Sequence, residues 1–313
     1  MATRSPRIFS STAILILLFT GCLGCGKPSA YQAPVAKFRD ASGVVIQATK
    51  VYLTEINKAE RDQYIYKQAG TPAMIRLDQI EAVQVFSKEG IAARLKALDQ
   101  LANYVDLLNQ LANSGAPDKI KASANDLQTA LTGLSGEVKN LTGEDDKQFK
   151  AAASKALPII GDVLQAFAQQ SIESALKKAI NTGAAPVNDL IAAIETDVTT
   201  AYERKRTSYS ARRVALVDQY NREFARGPSA DPQKLKSYAD EISAGEDQWE
   251  AFLAAQPNDG LEAMKKANDA LVKFANTPRP KVTDFATFAD AVDSFASTAN
   301  RVGRGVQQLL KKP

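Results

Sequence analysis

Apolar residues return along this chain at alternating steps of three and four, the spacing that gathers them on one side of an α-helix. The run is clearest over 117–142, where Ile120, Ala124, Leu127, Leu131, Leu134, Val138 and Leu141 form one stripe suited to a partner helix crossing at a shallow angle. The preceding segment repeats it through Ile91, Leu95, Leu98, Ala102, Val105 and Leu108, with a second stripe through Leu101 and Leu111. Thr71 and Pro72 supply an N-cap and first-turn pair, so one helix over 72–113 or two that meet near 87–90 both fit. A terminal helix carries Phe285, Phe288, Val292, Phe295, Ala299, Val302, Val306 and Leu309, with Thr283 as its cap. Asp231-Pro232 opens another with Leu235, Ile242, Trp249 and Phe252, and Asn258 opens a shorter one with Leu261, Met264, Leu271 and Phe274. No segment sustains apolar/polar alternation and β-branched clusters are scarce, so strands have no support.

Glycine and proline gather at Gly70-Thr71-Pro72, 114–117, Thr142-Gly143, 183–186, Gly227-Pro228, Pro257 and 277–280, which reads as a series of breaks. Two segments between them are long, 34–68 and 187–226, and the second would extend about 60 Å as a helix. The expected fold is therefore all-α: an elongated multi-helix bundle of about eight helices with coiled-coil-like seams. Pro158 lies within 146–182 with apolar residues at helical spacing on both sides. A helix restarting with Pro158 in its first turn is favoured there over a continuous helix with a kink. No low-complexity linker and no internal repeat divides 35–313, which is treated as one domain.

The first 25 residues have a different character. Arg4 and Arg7 precede an apolar run over 13–19, too short to cross a bilayer that needs roughly 20 residues, as in an export signal. Leu18-Phe19-Thr20-Gly21-Cys22 resembles the lipobox of bacterial lipoproteins, in which a small residue precedes the cysteine that is acylated and becomes the first residue. Phe19 stands where that pattern usually has leucine. A rival placement at Cys25, after Leu23-Gly24, leaves Cys22 at the aliphatic position. The resemblance covers residues 1–25 only. It implies a signal peptide over 1–21, lipidation of Cys22, a tether over 22–34 and a membrane partner held through the lipid. Leu23, rather than aspartate, after the cysteine implies the outer membrane, on its periplasmic face, in a Gram-negative cell. In other cells the implied location is the outer face of the cell membrane.

Composition removes most catalytic chemistries. The 313 residues include no histidine and two cysteines, both within the first 25, so a Ser-His-Asp or Cys-His arrangement has no imidazole and zinc lacks its usual ligands. Ser174 and Lys177 have Ser-x-x-Lys spacing but belong to a Ser- and Lys-rich helical surface. Glu144-Asp145-Asp146 lacks the alternating ligands of a calcium loop and reads as negative charge placed at the start of the following helix. No phosphate-binding glycine loop occurs. No enzyme activity, cofactor or metal is expected. The net charge of +4 falls to +2 once Arg4 and Arg7 leave with the signal, so nothing global points to nucleic acid.

Three segments remain as candidates. The stretch 203–213 holds Arg204, Arg206, Arg212 and Arg213 between Tyr202 and Tyr220, a possible interaction surface whose simpler reading is a solvated helix face. There the apolar stripe turns polar at Lys205, Ser208 and Arg212, as the first long helix does at Glu55, Lys58, Glu60, Arg61 and Asp62. These polar middles fit helices protruding beyond a shared core, or facing one another as an ion-paired section. The most apolar stretch, 156–168, includes Leu157, Ile159, Ile160, Val163, Leu164 and Phe167 and is a candidate membrane segment, with a buried core helix favoured. The phenylalanines of the last helix are core or, less favoured, the lining of an apolar-ligand site. The leading expectation is a lipid-anchored envelope protein whose bundle is a binding or scaffolding module for an unidentified envelope protein. Membrane-active and ligand-carrier proteins are the alternatives.

Overall fold

The seven residues of the 120–141 stripe are all buried, from Val138 at 0% to Ile120 at 6% exposure, so the three-and-four spacing selects the packed side of a helix. The computed structural model describes residues 29–69, 74–113, 117–167 and 172–310. Among them are nine α-helices and no strand: α1 (Ser29–Ala69), α2 (Leu77–Ala82), α3 (Lys88–Asn113), α4 (Pro117–Lys139), α5 (Lys147–Phe167), α6 (Ile172–Phe224), α7 (Pro232–Ala254), α8 (Pro257–Asn276) and α9 (Val282–Leu310). Short 3-10 turns at Glu144–Asp146 and Gly227–Ser229 precede α5 and α7.

The helices pack as an elongated bundle around one continuous core. At one end α3, α4, α5 and the first half of α6 pack together, and at the other α1, α8 and α9 pack with the middle of α6. Most neighbours are antiparallel. Lys50 on α1 reaches Asp99 on α3 at 2.7 Å, and Phe274 on α8 stacks on Phe288 of α9 with centroids 5.3 Å apart. α1 and α9 instead run parallel, as shown by Lys37 against Asp293 at their beginnings and Val44 against Gly303 further on. The 53 residues of α6 extend about 80 Å.

Several boundaries differ from the sequence reading. α1 begins at Ser29, inside the expected tether, because Tyr31 packs edge-on against Phe274 and Pro34 and Val35 are buried. The stretch 183–186 does not break the chain: α6 runs through Pro186, which is buried with Ala184 and Val187. Asn268 of α8 supports it, donating to the Ala184 carbonyl at 3.5 Å and to Asn188 Oδ1 at 2.9 Å. Nor does a helix restart at Pro158. α5 continues through it with the ring exposed, while Ala153, Ala156, Leu157 and Ile160 hold one buried stripe on the other side. A carbonyl freed by a proline costs least on the water-facing side of a helix. The 72–113 region forms two helices, separated where Asn57 of α1 brackets Phe86: the Phe86 amide donates to Asn57 Oδ1 at 3.0 Å and Asn57 Nδ2 donates to the Phe86 carbonyl at 2.9 Å. Thr71 and Pro72 lie outside the described residues.

Caps follow the sequence in part. Asp231 caps α7 as expected, its carboxylate accepting from Gln233 N at 2.9 Å. α8 begins one residue before Asn258, and α9 begins at Val282, so Thr283 lies inside its first turn. There Asp284 accepts from the Lys281 amide at 2.8 Å.

Candidate interaction surface

The polar middle of α6 starts beside an aromatic cluster built by three helices. Phe252 of α7, 1% exposed, has Tyr202 and Tyr209 of α6 at 4.9 and 5.1 Å, Trp249 of its own helix at 5.9 Å and Tyr52 of α1 at 6.4 Å between centroids. Such ring pairs add to area burial. Burial pushes the Tyr52 phenol well above its ordinary range, with Tyr202 and Tyr209 adding to the effect. Lys205 lies over the Tyr209 ring at 4.7 Å. From this cluster α6 and α7 run on together past the bundle.

Beyond Tyr209 the two helices form an antiparallel arm. The face of α6 that carries Arg213, Leu216, Tyr220 and Glu223 at steps of three and four turns toward α7. Arg213 makes a two-pronged pair with Glu246, at 2.7 and 2.6 Å, and lies over Trp249 at 4.9 Å. Leu216 fills the space over Gly245. At the tip, Glu223 accepts from the Asp231 amide at 2.8 Å and from Arg226 at 3.0 Å. These bonds hold the Glu223 carboxyl below its ordinary value, the Asp231 amide contributing most.

A neighbouring face, about 100° round the helix, is open. Ser210, Val214, Val217, Asn221 and Phe224 follow the same three-and-four rhythm and are all exposed, Val214 at 60%, Val217 at 41% and Phe224 at 64%. Arg206 continues the line one turn before Ser210, while Arg212 lies on the far side of the helix, and both are exposed. Over 203–224 α6 has six basic and three acidic residues, whereas α7 has two basic and five acidic ones. The arm therefore joins a basic helix to an acidic one and leaves an apolar line along the basic helix.

The four arginines singled out from sequence thus separate. Arg213 is used within the arm, between Glu246 and Trp249. Arg206 pairs loosely with Glu203 at 3.5 Å, and Arg204 and Arg212 are exposed. Of the two readings of the polar middles, the protruding helix is the one α6 follows, running on past the core; at its departure burial raises the Tyr209 phenol above its ordinary value, with Arg212 opposing and Glu55 of α1 adding to the shift.

The candidate membrane segment is divided. Leu157 and Ile160 are core at 1% and 2% exposure, and Ile159 is 44% exposed. The side chains of Val163, Leu164 and Phe167, like Cys22, lie outside the described residues. No helix among the described residues is long and apolar enough to cross a membrane. Phe288 and Phe295 are 1% exposed and packed on Phe274 and Phe38, and Phe285 meets Phe274 edge-on, so these rings close the core instead of lining a cavity.

Sequence reasoning missed one buried centre. Arg94 of α3, 0% exposed, reaches Asp146 Oδ1 at 2.5 Å and Asp197 Oδ2 at 2.7 Å. Its guanidinium lies between the rings of Phe86 and Phe149, at 4.1 and 4.8 Å. Asp146 is therefore a core ion-pair partner as well as the last residue before α5, which replaces its reading as a helix-end charge alone. The Ala93 and Ala97 neighbours put Arg94 on an apolar stripe, and that was the available signal. No cluster of metal-ligating side chains occurs among the described residues.

No protein-family model matches the chain, and no curated protein or solved structure matches it either.

Proposed function

We propose that this protein is a lipid-anchored component of a bacterial cell envelope, attached through Cys22, whose helical bundle serves as a binding or scaffolding module. It engages an envelope protein through the arm of α6 and α7. The observation that carries the docking half is the exposed line Val214, Val217 and Phe224, set at helical spacing along α6. Two helices bury one face of each, and a second apolar line on one of them is surface that a partner helix covers. Arg206, which continues the line toward the bundle, suits a partner carrying an acidic side chain at that end. The anchor half rests on the basic start, the short apolar run and the lipobox-like segment. Several acyl chains on one cysteine hold a protein at a membrane far better than one chain does.

The test expresses the full chain in a bacterial cell with photo-crosslinking residues at 214, 217 or 224, and at Thr129 on the exposed side of α4 as a control. A discrete protein adduct from the arm positions, absent from position 129, is expected. Equal labelling from all four positions removes the arm from the reading. Mass spectrometry of the N-terminal peptide reads the anchor independently: an unmodified cysteine at 22 overturns it.

A further inference from the structure

A groove of about 700 Å³ lies between α1, α3 and α9. Its floor is apolar, formed by Val44, Ala48 and Val51 of α1, Val105 of α3 and Val306 of α9, while Arg39, Asp40, Gln47 and Gln307 stand at its edges. The volume lies within the range of small-ligand sites. Two glycines shape it differently. A Cβ on Gly303 would strike Val44, so α1 and α9 approach closely there, whereas a Cβ on Gly43 would meet nothing within 4 Å. The groove is open beside Gly43.

Ser42, also bordering the groove, is the observation that points to an occupant. Its hydroxyl is buried, the residue 1% exposed, and Oγ has no hydrogen-bond partner. Its neighbours behave otherwise: Thr49 donates to the Val45 carbonyl and Thr54 to the Lys50 carbonyl, each at 2.8 Å, as helix hydroxyls commonly do. A buried hydroxyl left unpaired is unfavourable, and an apolar groove with one such donor suits a hydrocarbon chain that carries a carbonyl at one end.

We infer that the occupant is an acyl chain carried by Cys22 of the same molecule, an inference that rests on the lipid-anchor reading above. Cys22 precedes the first residue of α1, Ser29, by seven positions, which span at most about 24 Å when extended. Gly43 lies about 21 Å along α1 from Ser29. The tether is therefore long enough for the amide or ester carbonyl of an acylated Cys22 to meet Ser42, with the hydrocarbon laid along Val44, Ala48 and Val306. A chain seated there is withdrawn from the bilayer. Both surroundings are apolar, so the exchange is reversible and the strength of the anchor follows the number of chains left in the membrane.

The experiment feeds cells a photoreactive palmitic acid analogue, purifies the full-length lipidated protein and irradiates it. The expected product is an intramolecular adduct joining the Cys22 peptide to a peptide containing Val44, Ala48 or Val306. Gly43→Leu fills the groove while improving helix propensity, and is expected to cut that adduct several-fold without lowering Tm or the label on Cys22. Label on Cys22 with no adduct on α1 or α9, or an adduct that Gly43→Leu leaves unchanged, overturns the groove assignment and leaves the anchor standing. An adduct bearing a free fatty acid instead of the Cys22 peptide gives the groove to an outside amphiphile and overturns it as well. Absence of label from Cys22 overturns the anchor reading and the inference together.

Discussion

Arg94 Nε donates to Asp197 Oδ2 across 2.7 Å, joining residues 103 positions apart in a site where both side chains are nearly inaccessible to water. The same guanidinium holds Asp146, which sits where α5 begins, and donates to the Gly90 carbonyl at 3.0 Å in the first turn of α3. One cation thus fixes the start of α3, the start of α5 and the middle of α6 relative to each other. The Phe86 and Phe149 rings lie against it and the residue is 0% exposed, which excludes the water that would otherwise weaken these pairs.

Removing the cation alone leaves two buried carboxylates without the charge that they share. Arg94→Met is expected to lower the unfolding free energy by about 3–5 kcal/mol, the usual cost of breaking a buried pair from one side. Adding Asp146→Leu and Asp197→Leu restores much of the loss, because an apolar replacement of all three leaves no orphan charge. Urea denaturation of the three proteins measures it, and a loss under about 1 kcal/mol for Arg94→Met removes the cluster from its structural role.

The glycines give a prediction of sign. A Cβ at Gly305 would press on the Ala254 backbone, with Ala254 C at 2.6 Å, and a main chain cannot rotate away. Gly305→Ala is therefore destabilising by about 1–3 kcal/mol despite its better helix propensity. Gly133→Ala and Gly136→Ala meet nothing within 4 Å and stabilise α4 by about 0.5–1 kcal/mol each. Thermal melts of the three single variants check it. A rise in Tm for Gly305→Ala would mean that α9 and the α7–α8 junction are not in contact.

Where apolar periodicity was unbroken, the fold was legible nearly residue by residue: α4 buries its stripe, and α9 buries its own from Phe288 to Val306, with Phe285 and Leu309 partly buried at the ends. Periodicity also carried the reading past its errors at proline. Pro158 and Pro186 look like breaks because a local rule weighs the missing amide, whereas the neighbouring stripes, Ala156 with Leu157 and Ile160 in one case and Val187 with Leu190 and Ile191 in the other, keep the helix packed across it. The Arg94 centre was invisible for a different reason. Its partners at 146 and 197 come from separate helices, and an arginine on an apolar stripe does not say which carboxylates will meet it. The arm was half legible. The basic run near 204–213 was found, but the division of its arginines required knowing that α7 returns along one face.

That division predicts unequal effects within the basic run. Arg206→Gln with Arg212→Gln is expected to leave stability within about 0.5 kcal/mol, as exposed substitutions do. Arg213→Gln alone lowers Tm by more than that pair, since it removes both bonds to Glu246 and the contact on Trp249. Equal Tm values for Arg213→Gln and the double variant would return Arg213 to the solvated face.

The Arg213–Glu246 pair also makes the arm sensitive to acid. The hydrogen bond from Arg213 is the largest influence holding the Glu246 carboxyl below its ordinary value of 4.5, and its guanidinium is in turn held protonated more firmly. A carboxyl depressed in the folded state stabilises above its unfolded value, and that contribution is lost as pH falls through the lower folded value. Trp249 is the sole tryptophan of the chain and packs beneath Arg213, so its emission reports the pair directly. Titration downward from about pH 5 should show a step in tryptophan emission below 4.5 while the helical circular dichroism of the bundle is still intact. Glu246→Gln removes the titrating group and should abolish that step without abolishing the later, global one. If the early step survives in Glu246→Gln, the arm opens through another carboxylate, and Glu223, held down mainly by the Asp231 amide at the tip, is the one to change next.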